Sequence, residues 1–292
     1  MRATVPTGIT LEYDTFGSPD DPALLLVMGF TAQMIQWDER FCGLLAESGL
    51  FVIRFDNRDC GLSTGLDGVE VDTGAVMAAG FSGGEMPPVP YTLSDMALDA
   101  IGLLDHLGIE RAHIMGASMG GMIVQTIAIE HPTRVRSMVS VMSTTGDPTV
   151  GQAAPEVLGV LIGPPATTRE EYIESAPKWM VWQSKKYRDE KKVKELAAIG
   201  FDRSFYPEGG PRQLAAILAS GDRSAKLAEL DVPTLVIHGR DDTLITPSGG
   251  LRTAELIPGA HLLYLADMGH DIPEPLWPQV IAAVTTLTSS AA

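Results

Sequence analysis

Two hydrophobic rhythms alternate along this chain. Short, continuously apolar runs appear at Ala23 to Met28, Leu50 to Asp56, Ala112 to Met115, Val135 to Met142, Val232 to His238 and His261 to Leu265. They predict strands, and the most apolar of them strands covered on both faces. Between them lie longer stretches of helical spacing. Gln36 to Ser48 places Trp37, Phe41, Leu44 and Leu45 on one side and stops at Gly49. Thr92-Leu93-Ser94-Asp95 reads as a helix N-cap with an acid in the first turn, and that helix runs to about Leu107. Further helices are predicted over Met122 to Glu130, Pro247 to about Leu256, and about Pro275 to Leu287. At the N-terminus, Thr4 to Pro6 and Ile9 to Phe16 predict a hairpin about Thr7-Gly8. Strands that alternate with helices predict an α/β fold: a mostly parallel sheet with helices on both faces.

Two stretches break the alternation. Residues 64 to 90 are rich in Gly, Pro and small side chains with few periodic apolar positions, which predicts a long loop, either a flap or disordered. Residues 144 to 228 contain no strand-like run. They predict a Gly- and Pro-containing connector over 144 to 167, then helices at Arg169 to Gln183, Tyr187 to Ile199 and Gln213 to Ser220. The chain thus divides into a core, residues 1–143 and 229–292, and a helical insert, residues 144–228.

Composition narrows the partners. The net charge of −16 argues against nucleic acid and anionic membranes. No stretch is long enough to span a bilayer, and the N-terminus has no apolar signal core, so a cytoplasmic location is expected. Two cysteines, Cys42 and Cys60, are too few for a disulfide framework, and reduced thiols are the preferred reading. The lysines at 185, 186, 191, 192 and 194 read as a solvated helix face alongside Glu190 and Glu195.

Chemistry enters at Gly116-Ala117-Ser118-Met119-Gly120, a G-x-S-x-G set between a strand and a helix. A serine there sits on a turn so sharp that side chains two residues away have no room. The following N–H, that of Met119, points to where an oxyanion would form at the positive end of the helix. Serine is a weak nucleophile and needs a base, which in turn needs an orienting acid. Of six histidines, only His270 lies on a loop just past a strand end and follows a candidate acid. His106 and His131 belong to a helix, His113 and His261 to strand starts, and His238 reads as a strand-end polar group. Asp241 and Asp242 compete as the acid, and Asp242 is the better placed. The second oxyanion donor is expected after the Ala23–Met28 strand, at the N–H of Phe30, whose side chain would also wall an acyl pocket. The charged loop at Asp56, Arg58 and Asp59 reads as a local ion-pair network with a structural role.

Taken together, Val27-Met28-Gly29-Phe30, Asp56 to Ser63, Gly116 to Gly120, His238 to Asp242 and Met268-Gly269-His270 resemble the α/β-hydrolase superfamily along essentially the whole chain. The Met-Gly and Asn-Arg-Asp pieces are similar to those of esterases like aclacinomycin methylesterase. Met28 stands where many relatives have His. The resemblance implies a lid at the helical insert. The expected activity is hydrolysis of a small to medium, largely apolar carboxylic ester through an acyl-enzyme on Ser118, His270 and Asp242, with no metal or organic cofactor. The same triad serves cofactor-free haloperoxidases or perhydrolases and C–C bond hydrolases. A non-catalytic ligand-binding protein is the alternative outside enzymes. In the insert, Trp179, Met180 and Trp182 form an apolar cluster, and Met180 or Trp182 is expected to line the substrate pocket with Phe30.

Overall fold

In the computed structural model, which describes all residues except 83, 162, 164, 165 and 292, the apolar runs assemble into one eight-stranded sheet. Its strands are β1 (Arg2–Thr4), β2 (Thr10–Phe16), β3 (Ala23–Val27), β4 (Phe51–Phe55), β5 (Ala112–Ala117), β6 (Val135–Val141), β7 (Thr234–Gly239) and β8 (His261–Leu265). The order across the sheet is β1-β2-β4-β3-β5-β6-β7-β8. β1 and β2 are antiparallel, and every pairing from β4 to β8 is parallel.

The helices are α1 (Glu39–Glu47), α2 (Thr73–Ser82), α3 (Leu93–His106), α4 (Met119–Glu130), α5 (Pro155–Leu161), α6 (Arg169–Ser175), α7 (Glu190–Arg203), α8 (Gly209–Ser220), α9 (Ser224–Leu227), α10 (Ser248–Leu256) and α11 (Trp277–Ser290). The central strands bury both faces. Along β3, Leu25 and Val27 join a core built with α3 and α4, while Leu24 and Leu26 join a second core built with α1 and α11. Each such fully buried side chain contributes about 1.5–3 kcal/mol of transfer free energy, which is why β3 reads as an unbroken apolar run.

Several elements differ from the pattern-based expectation. Within the predicted 64–90 loop, Thr73–Ser82 is helix α2, packed on α8 with Val76 and Ala79 buried. Half of its residues are Gly or Ala and none is charged, so no stripe betrays it; residue 83 of that stretch lies outside the described residues. The predicted Arg169–Gln183 helix is α6 followed by a 3-10 turn, Ala176–Val181. Pro177 lacks the N–H and crowds the preceding turn. Part of the 144–167 connector is α5, and residues 162, 164 and 165 there lie outside the described set, as does residue 292 of the core segment. The helix expected at Tyr187 begins at Glu190, where the Asp189 side chain caps Lys192 N–H, and continues to Arg203. The next starts earlier than expected, at Gly209.

The insert leaves after β6 and returns before β7, and its two ends are stapled together. Arg223 N–H donates to the Thr145 carbonyl at 2.9 Å, and its buried guanidinium donates to the Thr144 carbonyl at 2.9 Å and to Gln125 at 3.1 Å. Cys42 and Cys60 are both buried and free. Among the described residues no helix is long and apolar enough to cross a membrane.

Candidate active site

Ser118 stands at the junction of β5 and α4 with φ 57° and ψ −121°, a strained conformation for a residue with a Cβ. The glycines on either side make the turn possible. A Cβ on Gly116 would run into the Gly120 carbonyl, and one on Gly120 into the carbonyl of Val27 in the neighbouring strand. The hydroxyl is thereby held at the carboxyl end of the central strands.

Two loops from the far side of the sheet reach it. His270, after β8, has Nε2 at 2.9 Å from Ser118 Oγ and Nδ1 at 2.7 Å from Asp242 Oδ2. A carboxylate oxygen only accepts, so Nδ1 carries the hydrogen and Nε2 is left to accept from the serine. Asp242, after β7, is buried, and its other oxygen accepts the N–H groups of Leu244 at 2.9 Å and Ile245 at 3.0 Å. Asp241 faces away, with Arg240 at 3.6 Å and Lys185 at 3.9 Å. Of the other histidines, His238 is buried beside Asp242, Nε2 to Oδ2 3.5 Å, and donates to the Ile245 carbonyl at 2.9 Å. Burial pushes its pKa below the ordinary histidine value, against the pull of Asp242. His113 is buried in β5, 2.8 Å from Ser137 Oγ. The Ser118–His270–Asp242 arrangement can take a proton from the hydroxyl as the oxygen attacks and later hand it to a leaving group.

Gly29 and Phe30 follow β3, whose Val27 is registered with Gly116 of β5. Gly29 is close enough that a Cβ there would sit 3.0 Å from that of Ser118. Among the described residues, no protein group accepts a hydrogen bond from the N–H of Phe30 or of Met119. The Met119 N–H opens α4, at the positive end of its dipole. The loop carrying Phe30 is held by Asn57, which donates to the Met28 carbonyl at 2.8 Å, and by Asp56, which accepts from Met34 N–H at 2.7 Å.

The charged loop after β4 corrects the expectation of a local network. Asp56, Arg58 and Asp59 pair with other elements rather than with one another. Arg58 grips Asp99 of α3 through two bonds of 2.6 and 2.7 Å. Asp59 takes two bonds of 2.8 Å from Arg212 of α8 and one of 2.7 Å from Tyr91. Arg203 of α7 lies 2.7 Å from Asp56, close enough for charge attraction but without a directed bond from that nitrogen. The loop therefore joins the sheet to the insert. These partners lie 32 to 153 residues away along the chain, and no local pattern points to them.

The insert also touches the histidine loop. His270 N–H donates to the Trp182 carbonyl at 2.6 Å, Ser184 N–H to Asp271 at 2.8 Å, and Ser184 Oγ to the Asp267 carbonyl at 2.7 Å. Burial raises the Asp271 carboxyl above its usual range, although the Ser184 and Gly269 N–H groups oppose it. Asp271 and Ser184 escaped sequence reading. Trp182 is half-buried, and Met180 packs with Trp179 and Tyr172 against Ala176, Val193 and Ala197, a small core internal to the insert. Phe30 is half-buried at the edge of the main core. Among the described residues, no three His, Cys, Asp or Glu side chains are grouped to ligate a metal ion.

Comparison with known proteins matches residues 22–274 to the family described as alpha/beta hydrolase fold. The chain is 28% identical over 310 residues to the rhodomycin D methylesterase DauP of Streptomyces sp. (strain C5), covering 97% of this chain and 96% of the relative. It is 34% identical over 174 residues to a 2-hydroxy-6-oxononadienedioate/2-hydroxy-6-oxononatrienedioate hydrolase of Cupriavidus pinatubonensis, covering 58% of this chain and 59% of that one. Among solved structures, the enol-lactonase from Burkholderia xenovorans LB400 superposes with a TM-score of 0.75 at 22% identity, over 99% of this chain and 100% of that one.

Proposed function

Because the chain belongs to the α/β hydrolase fold family, we propose that it is a serine hydrolase cleaving carboxylic esters through an acyl-enzyme. The observation that carries the reading is the continuous relay from Ser118 Oγ through His270 to Asp242, at 2.9 and 2.7 Å. Ser118 attacks the ester carbonyl while His270 Nε2 takes its proton. Asp242 holds the imidazole in the required tautomer and stabilises the imidazolium. The Phe30 and Met119 N–H groups bind the oxyanion, a term worth orders of magnitude in rate. His270 then protonates the departing alcohol. A water, deprotonated by His270, attacks the acyl-serine and releases the acid. These steps use side chains and main-chain donors alone.

The helical insert, residues 144–228, is the lid in this reading. Met180 or Trp182 lines the pocket with Phe30, and the pocket takes largely apolar acyl or aryl groups of small to medium size. The half-burial of Trp182 directly over the His270 loop supports its place there. The methylesterase name of the DauP relative makes methyl esters of bulky aromatic acids the first members of a test panel. A C–C bond hydrolase using the same relay is the second reading, favoured by the Cupriavidus relative.

The test is turnover of p-nitrophenyl and methyl esters together with labelling by a fluorophosphonate probe. Wild type should turn over many equivalents of ester and label, and Ser118→Ala should do neither while melting at the wild-type temperature. Equal labelling of wild type and Ser118→Ala would remove Ser118 from its role. Cleavage of a vinylogous 1,5-diketone much faster than any ester would favour the second reading.

A further inference from the structure

The loop that carries the Phe30 N–H closes on itself with one main-chain bond, Ala32 N–H to the Gly29 carbonyl at 3.3 Å, and takes its other main-chain hold from outside. Thr31, the next residue, is β-branched and has φ 54°, in the left-handed region that such side chains avoid. Its N–H donates at 2.7 Å to Oε1 of Gln213, 182 residues later on α8 of the insert. Gln213 is fully buried. Its amide nitrogen donates at 2.9 Å to the Arg58 carbonyl, in the loop whose Asn57 side chain holds the Met28 carbonyl on the other flank of Gly29 and Phe30. A second side chain repeats the link. Gln33 donates to the carbonyls of Gly200 at 2.7 Å and Ser204 at 2.8 Å, at the end of α7, and accepts from Arg203 at 2.6 Å. The first turn of α8 lies directly on this region, since a Cβ on Gly209 would run into the Asp59 carbonyl and one on Gly210 would sit 3.4 Å from the Thr31 methyl.

We infer that Gln213 is a positioning residue for the oxyanion donor: α8 of the insert holds the Thr31 peptide, and through it the Phe30 N–H, in the orientation needed to meet the developing negative charge. The insert then takes part in the chemistry as well as in substrate choice. The physical reason is the coupling of adjacent peptides. Without an acceptor for its N–H, Thr31 relaxes toward negative φ, the Phe30–Thr31 peptide rotates, and the Phe30 Cα carries the preceding N–H away from Ser118. A buried amide suits this task because it accepts from one loop and donates to the next with a single rigid group.

The inference rests on the ester-hydrolase reading, and the experiment separates the two. Gln213→Met keeps length and apolar bulk but removes the acceptor, and Gln213→Glu, read at a pH where its buried carboxyl is protonated, keeps an oxygen for Thr31 N–H and an O–H for the Arg58 carbonyl. For a short p-nitrophenyl ester, Gln213→Met should lower kcat about 10- to 100-fold, below the full loss of an oxyanion donor, with KM within about threefold. Its affinity for a trifluoromethyl ketone, whose adduct with Ser118 places an oxyanion in the same position, should fall by the same factor as kcat/KM. Gln213→Glu should retain more activity than Gln213→Met. Amide hydrogen exchange of the peptide containing Thr31 should accelerate in Gln213→Met and not in Gln213→Glu, a readout that needs no turnover. Unchanged exchange at Thr31, or equal loss in both variants, or a raised KM with wild-type kcat and ketone affinity, would each overturn the inference. Failure of the wild type to turn over any ester would instead overturn the ester-hydrolase reading, with the exchange result still deciding whether Gln213 holds the loop.

Discussion

Asp242→Asn isolates the orienting acid with almost no change in shape. The structure dictates how the new amide must sit. Oδ1 accepts two main-chain N–H groups, from Leu244 and Ile245, while Oδ2 faces His270 Nδ1. Turning the amide so that its NH2 met those two N–H groups would leave buried donors facing a donor, at about 1–3 kcal/mol for each group left unsatisfied. The oxygen therefore stays on the main chain and the NH2 points at Nδ1. Nδ1 must then accept, the imidazole hydrogen moves to Nε2, and Nε2 can no longer take the proton of Ser118. A wrong-tautomer defect of this kind corresponds to about 10⁴ in kcat, or about 5.5 kcal/mol. The assay is kcat and KM for a p-nitrophenyl ester beside the thermal midpoint. Asp242→Asn should fold normally, bind with similar KM and lose about four orders of magnitude in kcat. Asp241→Asn, which disturbs only contacts of 3.6 and 3.9 Å to Arg240 and Lys185, should stay within about threefold. A loss under tenfold in Asp242→Asn, or a larger loss in Asp241→Asn, would refute the tautomer argument.

Other outcomes follow from the same geometry. Burial depresses His113 from 6.5 to about 4, so the folded state refuses a proton that the unfolded chain accepts below 6.5. Its contribution is complete above pH 6.5 and is lost as pH falls toward 4, at most about 3 kcal/mol. Denaturation of wild type and His113→Asn at pH 7 and pH 4.5 should show the smaller pH dependence in the variant, and parallel curves would rule this out. Trp182→Ala should shift the preferred ester length and raise KM while kcat for an acetate ester holds. Met180→Ala should perturb stability through the small core around Ala176, Val193 and Ala197, and chain-length profiles unchanged in both variants would make the two side chains anchors of the insert only.

What the sequence determined by itself was local or strongly periodic. Continuous apolar runs marked the sheet because strands buried on both faces have no polar side to show. Ser118 was legible because a strand-turn-helix of this sharpness excludes side chains at Gly116 and Gly120, and that exclusion is written within five residues. His270 was legible by elimination, since it follows a strand end and comes after an acid in the chain. The choice between Asp241 and Asp242 could be leaned on but not made locally, because both lie in one loop and only the packing against β8 says which one faces the imidazole. Helix α2 left no trace, since an uncharged helix half made of Gly and Ala carries no stripe and its partner α8 is more than a hundred residues away. The partners of Asp56, Arg58 and Asp59 were hidden because they come from other elements, 32 to 153 residues away, and a charged side chain advertises that it will need a partner but not which one. Gln33 and Gln213 show the limit most clearly. A glutamine in a loop, like Gln33, or in an amphipathic helix, like Gln213, has no special pattern, and its importance comes from the carbonyl and the N–H that folding brings to either end of its amide. Chemistry confined to a turn is readable from order along the chain; chemistry that depends on two loops meeting exists only once the sheet has set them side by side.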